Sequence, residues 1–289
     1  FRPTFDVAGI VSLPQTASYY AGTTGRQRVD EAIKYALDEL EKTTDFARYD
    51  FDNDGVVDTI TFVFAGHSDE EGEGSIPQFY GSLLSQNVSY NDKLIGDYSF
   101  ISEFQPSTSL RPVRQGIGPF CRGLARALGL PEMAPPAGSV ATNTPGQWSL
   151  MDSGYRNGNA WLPPMMSAYE QWMLRWLEFD EPAVDADGNW LVNQKFLLPA
   201  VGTPGRKALR IYSTPLNGGE KSEFFVFETR GTSRWDAALP EQGGVLVWRV
   251  NYDSRQWSLD YVNAYGQSRL VPLVSNPEEN MYLWPGRRG

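Results

Sequence analysis

The hydrophobic pattern of the chain changes near residue 180. Before that point, helical periodicity is present at 26–42, 119–128 and 164–177, and the β-branched and aromatic run at 59–65 is typical of a buried strand. After it, short apolar runs end at Gly, Pro or polar turns, at 195–201, 208–214, 223–230 and 243–250. The pattern predicts an α/β (α+β) fold, with a helix-containing segment over 1–178 and a β-rich segment over 179–289.

The three helical stretches are recognised in different ways. The apolar face of 26–42 consists of Val29, Ile33, Ala36, Leu37 and Leu40. In 119–128, Pro119 suits the first turn, Phe120, Leu124 and Leu128 recur every four residues, and Gly129 suits the left-handed position after the end. In 164–177 the stripe of Met166, Tyr169, Met173 and Trp176 is typical of a core rather than of a ligand platform.

Composition excludes several classes of function. A chain of 289 residues that is 41% hydrophobic can bury a large core, as one large domain or two smaller ones. No apolar run approaches the ~20 residues that span a bilayer, and a net charge of -10 disfavours nucleic acid as a partner. The single cysteine, Cys121, excludes an internal disulfide and a multi-thiolate zinc site, and the single histidine, His67, excludes any mechanism that needs two imidazoles.

The helix at 119–128 has the spacing of a zinc-protease helix without its chemistry. A zincin helix carries H-E-x-x-H, in which two His bind zinc and the Glu is the general base. Arg122 and Arg126 stand at the two His positions, Gly123 at the Glu, and Glu132 at the position of a third ligand. Downstream, "GQWSLMDSG" supplies Met151 where a supporting Met-turn belongs.

Several motifs in order resemble the immune inhibitor A family of secreted bacterial zinc metallopeptidases, over nearly the whole chain. They are "FDVAGIVSLPQTASYYAG", "YDFDNDGVVDTITFVFAG", "FCRGLARALGLPE", "GQWSLMDSGYRN", "MSAYEQWMLRW", "EFFVFETR", "WDAALPEQGGVLVWRVN" and "LWPG". The resemblance implies a metzincin-like zincin domain over 1–178, with an active-site helix and a Met-turn. It also implies that 179–289 packs on this domain within one peptidase unit, and that the protein is secreted or at the cell surface, with any signal peptide outside these residues.

The departures from the family matter as much as the matches. Both ligand histidines are arginines, the catalytic Glu is Gly123, and Arg249 stands where the family usually has a His, while Glu132 keeps a carboxylate. Arginine stays protonated and donates no lone pair to a metal. We therefore expect a catalytically inactive homologue without zinc that binds peptides or proteins. The alternatives are an active peptidase with a misplaced site or another metal, and a purely structural domain.

Two further hypotheses concern charged clusters. The first is that Arg122, Arg126 and Glu132 form a charge-balanced cluster in place of the metal, the alternative being a solvated basic face. The second is a calcium site in "DFDNDGVVD", where oxygen donors alternate around Gly55 and the family resemblance also implies calcium. Its expected ligands are Asp50, Asp52, Asp54, Asp58 and the carbonyl near Val56, the alternative being an ordinary turn. His67 maps to no family ligand.

Overall fold

A computed structural model describes residues 3–21, 25–68, 76, 78–105, 112–136, 138–139, 143–213, 222–232, 234–241, 243–278 and 280–284. The chain divides into two compact units, Phe1–Gln115 and Gly116–Gly289. Both contain helices and sheets, so the fold is mixed α/β, as the sequence predicts. The units divide at 115 and not at 178, so residues 116–178 belong to the same unit as the β-rich segment.

The first unit combines helices with two small sheets. Its helices are α1 (Ala17–Tyr20) and α2 (Gly25–Glu41), and 3₁₀ turns follow at Phe46–Tyr49 and Leu84–Gln86. Its strands are β1 (Val56–Val57), β2 (Ile60–Phe64), β3 (Phe79–Ser82), β4 (Ser89–Tyr90), β5 (Lys93–Ile95) and β6 (Asp97–Ser102). One sheet has the order β2-β6-β3, with β2 parallel and β3 antiparallel to β6, and the other has the order β1-β5-β4.

The core of the first unit lies under helix α2. Val29, Ile33 and Leu37 are fully buried there, which confirms the predicted apolar face, and they share a cluster with Tyr98 and Phe100 of β6. The expectation of a buried strand at 59–65 holds on one face only. Ile60, Phe62 and Phe64 belong to the core, whereas Val63, on the opposite face of β2, is 62% exposed.

The second unit is built on one large sheet. Its helices are α3 (Gly118–Ala127), α4 (Ala168–Met173) and α5 (Ser254–Ser258), with 3₁₀ turns at Gly146–Trp148, Ser153–Arg156 and Arg234–Ala238. Its strands are β7 (Phe179–Asp180), β8 (Ala208–Tyr212), β9 (Glu223–Arg230), β10 (Gly244–Asn251), β11 (Leu270–Pro272) and β12 (Leu283–Trp284). The sheet order is β11-β10-β9-β8-β7, and β12 also pairs with β10.

Two sequence predictions in this unit were wrong in extent. The run at 195–201 forms no strand, because Pro199 has no N–H for a ladder and only single bonds, such as Val201 N to Thr229 O (2.9 Å), join it to β9. The helix expected at 164–177 covers six residues only. It begins after Ser167, whose side chain caps it, and stops before Arg175, which adopts a left-handed φ of 59°.

The core of the second unit joins helix α4 to the sheet. Tyr169, Met151 and Trp248 are almost fully buried in it. Of the predicted stripe, Tyr169 is therefore a core residue, whereas Met166, Met173 and Trp176 are only partly buried. Within the described residues, every helix is too short or too polar to cross a membrane.

Candidate functional site

Helix α3 packs through small residues. Gly118, Pro119, Gly123 and Ala125 are its buried positions, while Phe120, Leu124 and Leu128 are only partly buried. A Cβ at Gly118 would lie 1.8 Å from the carbonyl oxygen of Tyr155, so only glycine fits there. The helix ends as predicted, because Gly129 adopts a left-handed φ of 96°. This close seating fixes the positions of Arg122 and Arg126, one turn apart on the helix.

Arg122 makes the contact that the sequence predicts. Its guanidinium forms a short hydrogen-bonded ion pair with the carboxylate of Glu132. The same guanidinium lies 4.5 Å from the centroid of the Tyr155 ring, in cation–π geometry. Both charged side chains are about one quarter exposed, at 28% and 24%. The turn after Gly129 therefore brings a carboxylate back to the helix, and that carboxylate binds a guanidinium.

Arg126 pairs with a residue that sequence reasoning missed. Its two terminal nitrogens donate to the two oxygens of Asp260, with Nη1 at 2.6 Å from Oδ1, and Nη1 also donates to the carbonyl of Leu130 at 3.0 Å. Asp260 lies beyond helix α5, 134 positions along the chain, and accepts from the backbone N of Glu132 at 3.0 Å. No local motif marks Asp260, since its role depends on this long-range approach.

The four charged residues form a balanced group, which we call the Arg–carboxylate cluster (Arg122, Arg126, Glu132 and Asp260). Burial alone would raise the pKa of Asp260, but the hydrogen bonds and positive charge of Arg126 outweigh burial and hold it below its ordinary value. The clustering of both guanidiniums with carboxylates agrees with the predicted charge balance and argues against a merely solvated basic face. The pairing differs from the expectation, because Arg126 is neutralised by Asp260 and not by Glu132.

Met151, where the sequence analysis expects a Met-turn, supports this segment through its backbone. Met151 is fully buried, and its carbonyl accepts hydrogen bonds from the backbone N of Met133 at 3.0 Å and of Ala134 at 3.3 Å. These bonds hold the residues that directly follow Glu132. Met151 therefore anchors the chain that delivers this carboxylate to Arg122.

Arg249 lies apart from the Arg–carboxylate cluster in its contacts. It is on strand β10, directly opposite Phe225 of β9, and its Nε is 3.2 Å from Oε1 of Glu223. Both side chains are about 40% exposed, at 42% and 40%. The structure thus gives Arg249 an ion pair on the sheet surface.

Zinc does not fit the residues at helix α3. The two positions that should supply imidazole nitrogens supply guanidiniums, which carry no lone pair for a metal. Two carboxylates remain, Glu132 and Asp260, and each is already bonded to an arginine. Within the part of the chain that the structure describes, the one group of three or more possible ligands lies elsewhere, at Asp50, Asp52 and Asp54.

The Asp-rich loop, residues 50–58, brings those three carboxylates together. One oxygen from each lies within 4.8 Å of the others. The loop is shaped by its own carboxylates, since Asp50 accepts from the backbone N of Asp54 at 3.0 Å and of Gly55 at 3.1 Å, and Gly55 has a φ of 89°. Three clustered carboxylates are suitable ligands for a hard cation such as Ca²⁺.

The other predicted calcium ligands have different contacts. Asp58 accepts from the backbone N of Phe51 at 3.2 Å, and its pKa is raised by burial and by the neighbouring aspartates. Val56 begins strand β1 and donates its N–H to Asp54 at 2.8 Å. Lys93, which the sequence did not suggest, places Nζ 2.7 Å from Oδ2 of Asp50 and thereby lowers the pKa of that carboxyl. A bound cation would have to compete with this ammonium.

The single histidine has a structural contact. Nδ1 of His67 lies 3.0 Å from the carbonyl oxygen of Gln105, and its ring lies 5.3 Å from the Phe104 ring. It belongs to the first unit, whereas helix α3 belongs to the second.

A buried ionic network in the second unit was also missed by sequence reasoning. Arg230 is 1% exposed and bonds to Asp236 at 2.7 Å and to Glu228 at 3.3 Å. Glu228 also accepts from the indole N–H of Trp248 at 2.9 Å. These bonds tie the interior strands β9 and β10 to the turn that contains Asp236.

A second buried carboxyl lies at the start of helix α4. Glu170 is completely buried, accepts from the hydroxyl of Ser149 at 2.6 Å and from the backbone N of Ser167, and completes the capping box. Burial raises the pKa of Glu170, and these hydrogen bonds offset only part of the effect. The carboxyl links α4 to the residues just before Met151.

No protein-family model matches the chain, and no curated protein matches it.

Proposed function

We propose that the chain is a catalytically inactive, secreted relative of the immune inhibitor A metallopeptidases that binds peptides or proteins. The observation that carries this proposal is the Arg–carboxylate cluster. Its two arginines, Arg122 and Arg126, stand on helix α3 at the positions where the resembled family has its zinc-binding histidines, and Gly123 stands at the position of the general base. The finer fold that we propose is a metzincin-like zincin, and the structural ion that we propose for it is calcium at Asp50, Asp52 and Asp54.

Several features support this ancestry. Helix α3 ends at Gly129, the chain returns so that Glu132 meets the helix, and Met151 lies buried beneath the returning chain. The first unit has a parallel pair of strands, β2 and β6, flanked by the antiparallel strand β3. The Asp-rich loop precedes β2, as it does in the family that the sequence resembles.

The chemistry of the cluster supports a loss of hydrolysis. A general base must accept a proton near neutral pH, and guanidiniums do not. Glu132 and Asp260 are the remaining carboxylates, and each is engaged in an ion pair with an arginine, Arg122 or Arg126, which offers no metal-activated water. What such a group can do is bind: Asp260 is 42% exposed, and Arg122 and Glu132 keep part of their surface for polar groups of a ligand.

Metal content and the fate of a fluorescein-labelled casein test the proposal together. Purified protein is saturated with ZnCl₂, dialysed, and analysed for zinc by mass spectrometry. Fluorescence anisotropy of the casein is then followed with and without a chelator, because binding raises the anisotropy and cleavage lowers it. We expect substoichiometric zinc, a chelator-insensitive rise in anisotropy, and full-length casein on a gel.

The other outcomes favour the alternatives. One zinc per chain together with chelator-sensitive cleavage identifies an active metallopeptidase and overturns the proposal. An unchanged anisotropy at protein concentrations up to about 1 mM, a weak-binding limit, favours a purely structural domain. An Arg122→Ala, Glu132→Ala double variant, which removes one complete ion pair, is the matched test of whether binding uses the cluster.

A further inference from the structure

Strand β2 has one unpaired edge and the composition of a central strand. Within the described residues it pairs with β6 alone, at the end of the β2-β6-β3 sheet. Edge strands are normally protected by charged residues, Pro or bulges. β2 reads Ile-Thr-Phe-Val-Phe and contains none of these.

The backbone groups that face this open edge can be identified. The carbonyl of Phe64 accepts from the backbone N of Glu103 at 2.8 Å, so the polar groups of Phe64 turn towards β6. In a strand, the N–H and C=O groups of one residue point to the same edge, and those of the next residue point to the opposite edge. Ile60 and Phe62 therefore also face β6, and the N–H and C=O groups of Thr61 and Val63 point away from it.

One face of the sheet is also uncovered at this edge. Val63 is 62% exposed although its register partner on β6, Ile101, is buried. A parallel pair of strands ordinarily lies within a sheet that continues on both sides. The edge at Thr61 and Val63 thus combines unpaired backbone groups with uncovered apolar surface.

The same unit contains a second uncovered apolar segment near the start of β2. Residues 3–13 form no regular structure, and Val7 and Ile10 are 93% and 99% exposed. Tyr49 connects the two regions, because its carbonyl accepts from the backbone N of Asp58 at 2.9 Å and its hydroxyl donates to Asp6 at 3.0 Å. Tyr49 therefore links this segment, at Asp6, to Asp58, which lies just before β2.

The negative charge at the beginning of this edge favours a basic residue in a strand that binds there. The Asp-rich loop lies directly before β2 and contains four aspartates, of which Asp50 is neutralised by Lys93. The carboxylates of Asp52 and Asp54 are exposed. In the absence of bound Ca²⁺, a strand that lies along β2 gains from a basic residue at the end that faces this loop.

We propose that the edge of β2 at Thr61 and Val63 binds an extended segment of a partner polypeptide, which adds a fourth strand to the sheet. The partner segment alternates apolar side chains and carries Lys or Arg at the end that meets the Asp-rich loop. Main-chain hydrogen bonds provide the affinity, as in other cases of β-strand addition. This site is in the first unit, so the proposal does not rest on the function proposed for the Arg–carboxylate cluster.

Hydrogen–deuterium exchange resolved to single amides by NMR tests the proposal. The probe is the acetylated, amidated peptide Lys-Thr-Val-Thr-Val-Thr-Lys. The control is the same peptide with N-methyl groups on alternate residues, which removes the strand-pairing N–H groups but keeps the charges. In the protein alone, we expect the Phe62 and Phe64 amides to exchange slowly and those of Thr61 and Val63 to exchange fast.

The probe is expected to slow exchange at Thr61 and Val63 by about tenfold or more, with no change across Phe79–Ser82. The N-methylated peptide is expected to have no effect. The variant Val63→Pro, which lacks the outward N–H, is expected to lose the response while Phe64 stays protected. If this variant does not fold, the N-methylated peptide still tests the same bonds in the unaltered chain.

Three results overturn the proposal. Slow exchange at Thr61 and Val63 without any peptide means that the edge is already covered. Protection that grows with protein concentration alone identifies a second copy of this chain as the occupant. Equal effects of the two peptides, or no effect of either, exclude strand addition at this edge.

Discussion

Arg126 and Asp260, 134 positions apart in sequence, form a bidentate ion pair in which each terminal guanidinium nitrogen donates to one carboxylate oxygen. The side chain of Arg126 is only 14% exposed, whereas that of Asp260 is 42% exposed. Asp260 also accepts from the backbone N of Glu132. One carboxylate thus secures both the helix and the chain that returns to it.

The first prediction is that Asp260→Asn lowers the free energy of unfolding by about 1–2 kcal/mol, because a mostly buried guanidinium loses its ionic partner. Urea unfolding followed by tryptophan fluorescence measures it, since all nine tryptophans lie beyond residue 115 and report on the second unit. Asp187→Asn, at an exposed turn, is the control and should change stability by less than about 0.5 kcal/mol. Equal effects of the two substitutions would contradict the role given to Asp260.

The pH dependence of this pair has a definite sign. The pKa of Asp260 is lowered in the folded protein, so its contribution is present above the unfolded pKa of about 3.9 and is lost as the pH falls through the folded value. The second prediction is that the stability difference between wild type and Asp260→Asn shrinks as the pH is lowered below about 4. Urea titrations at several pH values test it, and a difference that grows on acidification would contradict it.

Residue spacing and end signals in the sequence were enough to predict the helices α2 and α3. Helix α2 was found because its apolar residues repeat with helical spacing, and α3 because Pro119 and Gly129 mark its two ends. The segment at 195–201 failed because apolar composition does not reveal whether a neighbouring strand is available. The same limitation applies to β2, whose composition predicts burial although Val63 is exposed.

The contacts of the candidate site also fall into those that could be predicted from the sequence and those that could not. Arg122 and Glu132 are ten positions apart on one helix and its return, so their pairing could be predicted. Asp260 and Lys93 could not, because each reaches its partner across a long stretch of chain that carries no periodic signal. Which charged residues pair over such distances depends on how the tertiary fold brings them together, and local sequence spacing carries no information about that.

The third prediction concerns the buried carboxyl of Glu170. Its raised pKa means that the folded state binds the proton more tightly, so stability declines as the pH rises above the ordinary Glu value of about 4.3. Glu170→Gln places an amide donor towards the Ser149 hydroxyl and an acceptor towards the Ser167 N–H, without a buried charge. We expect it to equal or exceed the wild type in stability at pH 7 and to have a weaker decline between pH 5 and 8.

Urea unfolding across that pH range measures this effect. Glu278→Gln is the matched control, because Glu278 is exposed and its substitution should leave the pH profile unchanged. A loss of more than about 2 kcal/mol at pH 7 in Glu170→Gln, the size of loss expected when a buried charged partner is needed, would show that the carboxylate form is required.

The fourth prediction is that Gly118→Ala destabilises the second unit by about 2 kcal/mol or more, because the added Cβ would lie 1.8 Å from the carbonyl oxygen of Tyr155. Gly231→Ala is the control, since the nearest atom to its Cβ would be 3.9 Å away and its φ is not left-handed. Tryptophan-monitored urea unfolding compares the two. Similar stabilities for both variants would refute the close seating of helix α3.

The fifth prediction concerns competition between Lys93 and a metal ion at the Asp-rich loop. The Lys93 ammonium lies 2.7 Å from Asp50, whose side chain is fully buried, so an incoming Ca²⁺ must displace one bond and meet the repulsion of a positive charge. Lys93→Met removes both effects, and we expect it to tighten Ca²⁺ binding by about tenfold in isothermal titration calorimetry. Lys207→Met, which breaks an exposed ion pair in the second unit, should leave the affinity unchanged, and Asp52→Asn should weaken it.

Equal affinity in wild type and Lys93→Met would mean that Ca²⁺ does not bind at Asp50. No heat from either protein at millimolar Ca²⁺ would mean that the three carboxylates form a turn held by lysine, and that the proposed ion has no place in it.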